Sequence, residues 1–264
     1  MTKAKIVYMY TQCPKCGHSP LPADQSLPAA CPACGVILAK VGEDVIHLRQ
    51  AKQKHQESDD ALWDRIRIEL LPKKSTTEMP STAFWARIGL LVFLAIWGWR
   101  LIAMDFHEDG TVPSFIHLPL LAFHEAGHVI FRPFGEWVMV AGGTLGQLIM
   151  PMTIAVALLV KNKDPFGASI GLWFFGVSIV DISPYMYDAL HPVMMLTTGS
   201  TGEDGGHDWI YLFSSVGLLS KCHFIAGLIH TLGALVIFLA ILWGAMVLRI
   251  QYEKIIILND RIVK

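Results

Sequence analysis

The sequence predicts an all-α membrane protein that crosses the bilayer several times behind a small cysteine-rich domain. Three observations lead there. Of 264 residues, 53% are hydrophobic and 16% charged, with a mean hydropathy of +0.46, outside the range of soluble globular domains. Charge is also unevenly spread: residues 1–80 hold eleven Lys or Arg and nine Asp or Glu, while most of the remainder runs in long apolar blocks. Finally, four of the five cysteines fall in two tight pairs, Cys13/Cys16 and Cys31/Cys34. The formal net charge of −1 gives no electrostatic footprint for nucleic acid. The first 20 residues lack the continuous apolar core of a signal peptide. The chain therefore divides into a cysteine domain (1–40), an amphipathic helix and linker (41–81), a membrane domain (82–250) and a polar tail (251–264).

In the front domain the pattern is Cys-x2-Cys-x14-Cys-x2-Cys, with Gly17 and Gly35 following the pairs. A Cys-Pro-x-Cys-Gly turn aims two thiolates at one centre, because glycine accepts the positive φ that ends such a knuckle. Two knuckles make a tetrahedral thiolate site for one structural Zn2+ held by Cys13, Cys16, Cys31 and Cys34. Over residues 10–35 the pattern resembles zinc-ribbon domains. A closed four-sulfur site folds a domain and leaves no position open for catalysis, and its thiolates need a reducing compartment, which favours a cytosolic N-terminus. The ribbon is a candidate docking point for a protein partner. Cys222, alone near the start of the last apolar run, reads as a small buried hydrophobe.

Leu62, Ile66 and Leu70 recur every four residues in a Lys-, Gln- and Glu-rich stretch over 43–71, as in an amphipathic helix that Pro72 ends. A polar linker, 73–81, follows. Apolar runs then occupy 82–104, 117–131, 137–160, 166–190 and 224–248, four of them reaching the roughly 20 residues needed to cross a bilayer. The second is shorter and more polar. Trp85, Trp97, Trp99 and Trp243 lie towards the ends of the first and last runs, as interfacial belts require. With the N-terminus inside, the acidic loop 105–109 falls outside. Five crossings would place Arg249, Lys254, Arg261 and Lys264 outside as well, against the positive-inside rule, whereas an even count would satisfy it.

The chemistry concentrates in His124-Glu125-Ala126-Gly127-His128. Four residues apart on a helix, His124 and His128 share a face and can grip one metal ion, while Glu125, turned about 100° away, reaches a water on that ion. Such a His-Glu-x-x-His site activates water at zinc with the Glu as general base. Three ionisable residues inside an apolar helix each cost ~2.5–3.5 kcal/mol on insertion scales, and a bound dication offsets that cost. His117, one face-repeat earlier, is about 10 Å away along the axis and too far to join the same ion. A third ligand is needed, and the fourth run offers Asp181 and Asp188.

An apolar His-Glu-x-x-His helix, followed two hydrophobic segments later by Pro184-Tyr185-Met186-Tyr187-Asp188-Ala189, resembles the site-2 protease class of intramembrane zinc metalloproteases. The resemblance implies Asp188 as third ligand, in the place of the Asp of that class's Leu-Asp-Gly motif. It also implies catalytic zinc and a membrane-protein substrate. Ala189 replaces the motif's Gly, the Asn expected before the proline is absent, and there is no PDZ-like insert. The loop 202–209 offers His207 and then Asp208 as alternative ligands, or forms a solvated turn. Between the motifs, the segment 136–147 starts with a β-like pattern. In site-2-like proteases such a segment holds substrate as a strand, with Gly142 and Gly143 allowing close approach. Alternatively Gly142 and Gly146 form a small-xxx-small helix contact. Gln147 is a candidate for orienting a substrate carbonyl. Hydrolysis requires Glu125; a non-catalytic zinc-binding scaffold or metal carrier does not.

Overall fold

A computed structural model of the chain describes residues 10–21, 29–38, 64, 70–71, 81–107, 112–197 and 199–262. The chain separates into two compact units, residues 1–67 and 68–264. In the first, each cysteine pair closes a knuckle. The Gly17 N–H donates to the Cys13 carbonyl and the Gly35 N–H to the Cys31 carbonyl, both at 2.8 Å. Gly17 and Gly35 take φ of +73° and +70°, the left-handed values expected of them. Leu38 packs on buried Cys13 and Cys31. Among the described residues there is no strand, only an isolated bridge between Ala30 and Ile37. The amphipathic helix expected over 43–71 and the linker over 73–81 lie almost wholly outside the described residues.

The second unit is helical: α1 (Ser81–Ile102), α2 (His117–Phe131), α3 (Glu136–Val160), α4 (Pro165–Asp188), a short α5 (Asp208–Ser215) and α6 (Cys222–Ile262). Four stretches, Thr82–Ile102, Glu136–Val160, Pro165–Asp188 and Leu219–Glu253, are long and apolar enough to cross a membrane. Helix α2, with fifteen residues, reaches only about 22 Å and falls short of the ~30 Å hydrocarbon core. Leu90, Val92, Phe93 and Ile96 on α1 and Leu235, Phe238, Leu239 and Leu242 on α6 are exposed, the surface that a lipid environment covers. This is a membrane protein with four candidate spans among the described residues.

Helix α4 is the centre of the bundle. Its apolar window is 72% buried, against 22% for each of the other three spans. Trp173, Val177 and Val180 are fully enclosed and gather Leu94 and Leu101 of α1, Leu120 of α2 and Ile237 of α6 around them. Pro165 opens the helix where a missing N–H costs nothing. Pro184 inside it removes the donor that would serve the Val180 carbonyl. The Ser183 hydroxyl, buried beside it, donates to that carbonyl at 2.7 Å and repairs the defect. Helices α1 and α4 run in the same direction, which sets Phe106 beside Tyr187 at one end of the bundle and pairs Arg87 with Asp164 at the other, while α6 runs against them so that Cys222 at its start meets Tyr187. Cys222 is fully buried.

The tail over 251–264 continues α6 as helix to Ile262, so this helix has 41 residues and runs for about 60 Å. Of the two readings of 136–147, a strand-like start or a helix contact, the helix holds: the segment is helical from Glu136 onward. Its glycines explain why: they seat α3 against α2 with no side chains between them. A methyl carbon on Gly127 would collide with the Gly142 carbonyl oxygen, and one on Gly146 would stand 2.6 Å from the Phe123 carbonyl oxygen. Arg132–Phe134 forms a 3-10 turn between the two helices, and Gly135, at φ +97°, reverses the chain. We expect Gly146→Leu to destabilise the protein by at least the ~1–3 kcal/mol typical of overpacking, measured by thermal unfolding in detergent. Gly89→Ala, where an added methyl meets nothing within 4 Å, should leave the transition in place.

Candidate metal centre

Helix α2 presents His124 and His128 one turn apart, towards α3. The opposing position on α3 is Gly143, where a methyl carbon would stand 2.5 Å from Nε2 of both rings. Glycine therefore leaves the space in which the two imidazoles meet. Asp208, the first residue of α5, enters that space from the other side. Its Oδ2 lies 2.9 Å from His124 Nε2 and 3.2 Å from His128 Nε2. One ligand atom from each of the three residues falls within 4.8 Å of the others. Ligands bound tetrahedrally to zinc at ~2.0–2.1 Å stand about 3.3 Å from one another, so this donor set fits the ion closely.

The far nitrogens support the same fit. His128 Nδ1 donates to the Met139 carbonyl at 2.9 Å, and His124 Nδ1 lies 3.3 Å from Gln147 Oε1. Each ring spends Nδ1 on an acceptor and turns Nε2 to the centre, as metal-ligating imidazoles do. Burial alone would raise the pKa of Asp208, but hydrogen bonds with His124 and His128 hold it below the usual carboxylate value. In the cysteine knuckles, Cys13 Sγ lies 3.7 Å from Cys34 Sγ and Cys16 Sγ 3.7 Å from Cys31 Sγ. Thiolates bound to zinc at ~2.3 Å stand about 3.8 Å apart.

Asp188, the leading sequence candidate for the third ligand, lies outside the cluster. Its Oδ1 accepts the Val193 and Met194 N–H groups at 2.8 and 3.1 Å, and its Oδ2 lies 3.3 Å from His207 Nε2. His207 is equally committed. Its Nδ1 accepts the Ile210 N–H as the N-cap of α5, and its ring packs on Tyr185 at 4.2 Å between centroids. The two residues that ranked ahead of Asp208 thus build the turn that aims it. Gln147 is buried between His124 and Asp181, with its amide directed to both. Gly142 serves the contact between α2 and α3, and Gly143 makes room for the imidazoles.

A cavity of about 510 Å³ joins these parts. Glu125 lines it, with Oε1 accepting from the Thr197 hydroxyl at 3.2 Å. Met139 and Val140 of α3 and Met194, Met195 and Leu196 of the loop after α4 form apolar walls. Tyr185 also lines the cavity; its hydroxyl oxygen accepts the Asp208 N–H at 3.0 Å, leaving its own proton to donate. Tyr185 was not among the residues that the sequence marked for a role. Its signal was the spacing of Asp181, Tyr185 and Asp188, four and three residues apart on one face of an otherwise apolar helix.

No family model, curated protein or solved structure matches this chain. The fold and the site together define a membrane protein that has, among the described residues, two groups able to hold a metal ion, one of four cysteines and one of two histidines and an aspartate. We expect Asp208→Ala to remove the metal from the second group, and Asp188→Ala to retain it while loosening the loop at 193–207. Metal content and proteolytic nicking of the loop measure the two effects separately.

Proposed function

We propose that this protein is an intramembrane zinc metalloprotease that hydrolyses peptide bonds in or beside membrane segments of other proteins. The observation that carries the proposal is the convergence of His124 Nε2, His128 Nε2 and Asp208 Oδ2 in a cavity that Glu125 also lines. Such a site in an apolar bundle suits a substrate that is itself apolar and extended. Zinc, held by these three residues, supplies Lewis acidity towards a water molecule and a peptide carbonyl. Glu125 accepts a proton from water as its oxygen bonds to the scissile carbon. It then delivers that proton to the amide nitrogen as the C–N bond breaks, so one carboxylate serves as base and then as acid. Tyr185 is placed to donate its proton towards a carbonyl oxygen in the cavity.

The front domain is a zinc ribbon in this proposal, with one structural ion on Cys13, Cys16, Cys31 and Cys34, and it offers a surface for a protein partner. An even number of crossings resolves the charge conflict left by five. It puts the N-terminal unit, Lys161 and Lys163 between α3 and α4, and the basic end of α6 on one side, the cytosolic one by the positive-inside rule. The acidic residues Asp105, Glu203 and Asp204 then lie on the opposite side, with the loop 194–197 that lines the cavity.

We expect Glu125→Gln to retain the metal at the membrane site and to abolish cleavage of co-expressed membrane proteins. The substitution removes the base and leaves every proposed ligand in place. Cleavage at the parent rate by this variant would overturn the mechanism, and a parent that binds zinc without ever cleaving would favour a scaffold or metal carrier. The purified parent should hold two zinc ions per chain, and Cys13→Ser with Cys31→Ser should remove one of them.

A further inference from the structure

We propose that Asp181 sets the tautomer of His124 through Gln147, and so decides whether this histidine can bind metal. The inference rests on the metal-centre proposal above and concerns residues two steps away from the ion.

A neutral imidazole carries one proton, and only its bare nitrogen can be a ligand. For His124 the nitrogen facing Asp208 and His128 is Nε2, so the proton must sit on Nδ1. Nδ1 faces Gln147, and an amide has two ends. If Gln147 offers its carbonyl oxygen, Nδ1–H is satisfied and Nε2 stays bare. If it offers its NH2 group, Nδ1 must accept, and the proton moves to Nε2, where it blocks the metal. The Nδ1 side of His124 does not choose between these states by itself, and on the Nε2 side Asp208 Oδ2, an acceptor 2.9 Å away, favours a proton there until a metal displaces it. The choice is made at the other end of the amide, where Gln147 Nε2 lies 2.8 Å from Asp181 Oδ2. A carboxylate only accepts, so the NH2 group must point to Asp181 and the oxygen to His124.

His117 completes the arrangement. Its Nδ1 lies 3.0 Å from Asp181 Oδ1 and 3.1 Å from Oδ2, donating to the carboxylate from α2. His124, Gln147 and Asp181 are 7%, 3% and 5% exposed, so bulk water does not supply the missing donors and acceptors. His128 needs no such chain, because its Nδ1 meets a backbone carbonyl that cannot turn over. The two histidines are thus held by different means, one by the main chain and one by three side chains. Asp181, Gln147 and His117 are positioning residues in this scheme, acting through His124.

The test compares Asp181→Asn, Gln147→Met and the double variant in the full-length protein in detergent. Zinc affinity of the membrane site is read by chelator competition, with the ribbon zinc as internal reference. The amide introduced by Asp181→Asn can donate to the Gln147 oxygen and let it turn over, so we expect affinity to fall about 10–100-fold, the usual range for outer-shell partners. In the Gln147→Met background, Asp181→Asn should cost nothing further, because its route to His124 is gone. An equal loss in both backgrounds would show that Asp181 acts independently, and would overturn the proposal. Nitrogen NMR of the metal-free, histidine-labelled parent gives an answer that requires no variant to fold. His124 Nδ1 should carry a proton in the parent, whatever the state of Nε2 beside Asp208, and should lose it in Asp181→Asn; a parent with a bare Nδ1 overturns the proposal. A parent that binds one zinc in total removes the metal centre and this inference together. A parent that binds two zinc ions indifferent to Asp181→Asn removes the inference alone.

Discussion

The site depends on a contact between two backbones. Where α2 crosses α3, Gly127, Gly142 and Gly146 carry no side chains, and the helices approach until backbone atoms touch. In lipid there is little hydrophobic force to press helices together, so close van der Waals contact between small residues contributes most of the attraction. The same approach leaves Gly143 opposite two imidazoles and puts the Met139 carbonyl and the Gln147 amide within reach of their outer nitrogens. Packing and ligand orientation are therefore one event, and a side chain large enough to separate the helices would disturb both.

A second constraint comes from polar groups in an apolar bundle. The most buried helix, α4, also carries Asp181, Tyr185 and Asp188, and each is engaged within the protein. Asp181 meets His117 and Gln147; the Tyr185 hydroxyl meets the Asp208 N–H; Asp188 meets two backbone amides and His207. Unpaired carboxylates at these depths would cost several kcal/mol each, so such partners are a condition of the fold. Their effect is to convert one polar stripe on α4 into fixed positions for residues on α2, α3 and α5.

Much of this was legible in the sequence where a period or a length carried the signal. Four long apolar runs became four candidate spans, and the short second run became a helix too short to cross. His124 and His128, four apart, came together because helix geometry demands it, and Gly17 and Gly35 took the left-handed backbone that a cysteine knuckle needs. The third member of the cluster was not legible in the same way. Asp188 sits in an apolar helix and needs a partner, which was sound reasoning. The partner, however, comes from the loop: two backbone amides and His207 rather than a cation. Asp208 arrives at the imidazoles through that loop, whose path follows from local hydrogen bonds and not from periodicity. The segment 136–147 read two ways for a related reason. Its β-branched and aromatic start favours a strand by propensity, yet its three glycines are spaced for helix contact, and tertiary packing decided the outcome.

The double role of Asp188 has a consequence for how the molecule can vary. By holding Val193 and Met194 at one end of the loop and His207 at the other, it fastens both ends of the excursion to one point on α4. Between those fastenings the chain turns at Gly199, where an added methyl would meet nothing within 4 Å. The direction in which Asp208 is aimed is then independent of how much chain lies beyond the fastening. The outer turn around Gly199 is therefore the part of the loop with room for added bulk, while the residues fastened to Asp188 at either end stay in register.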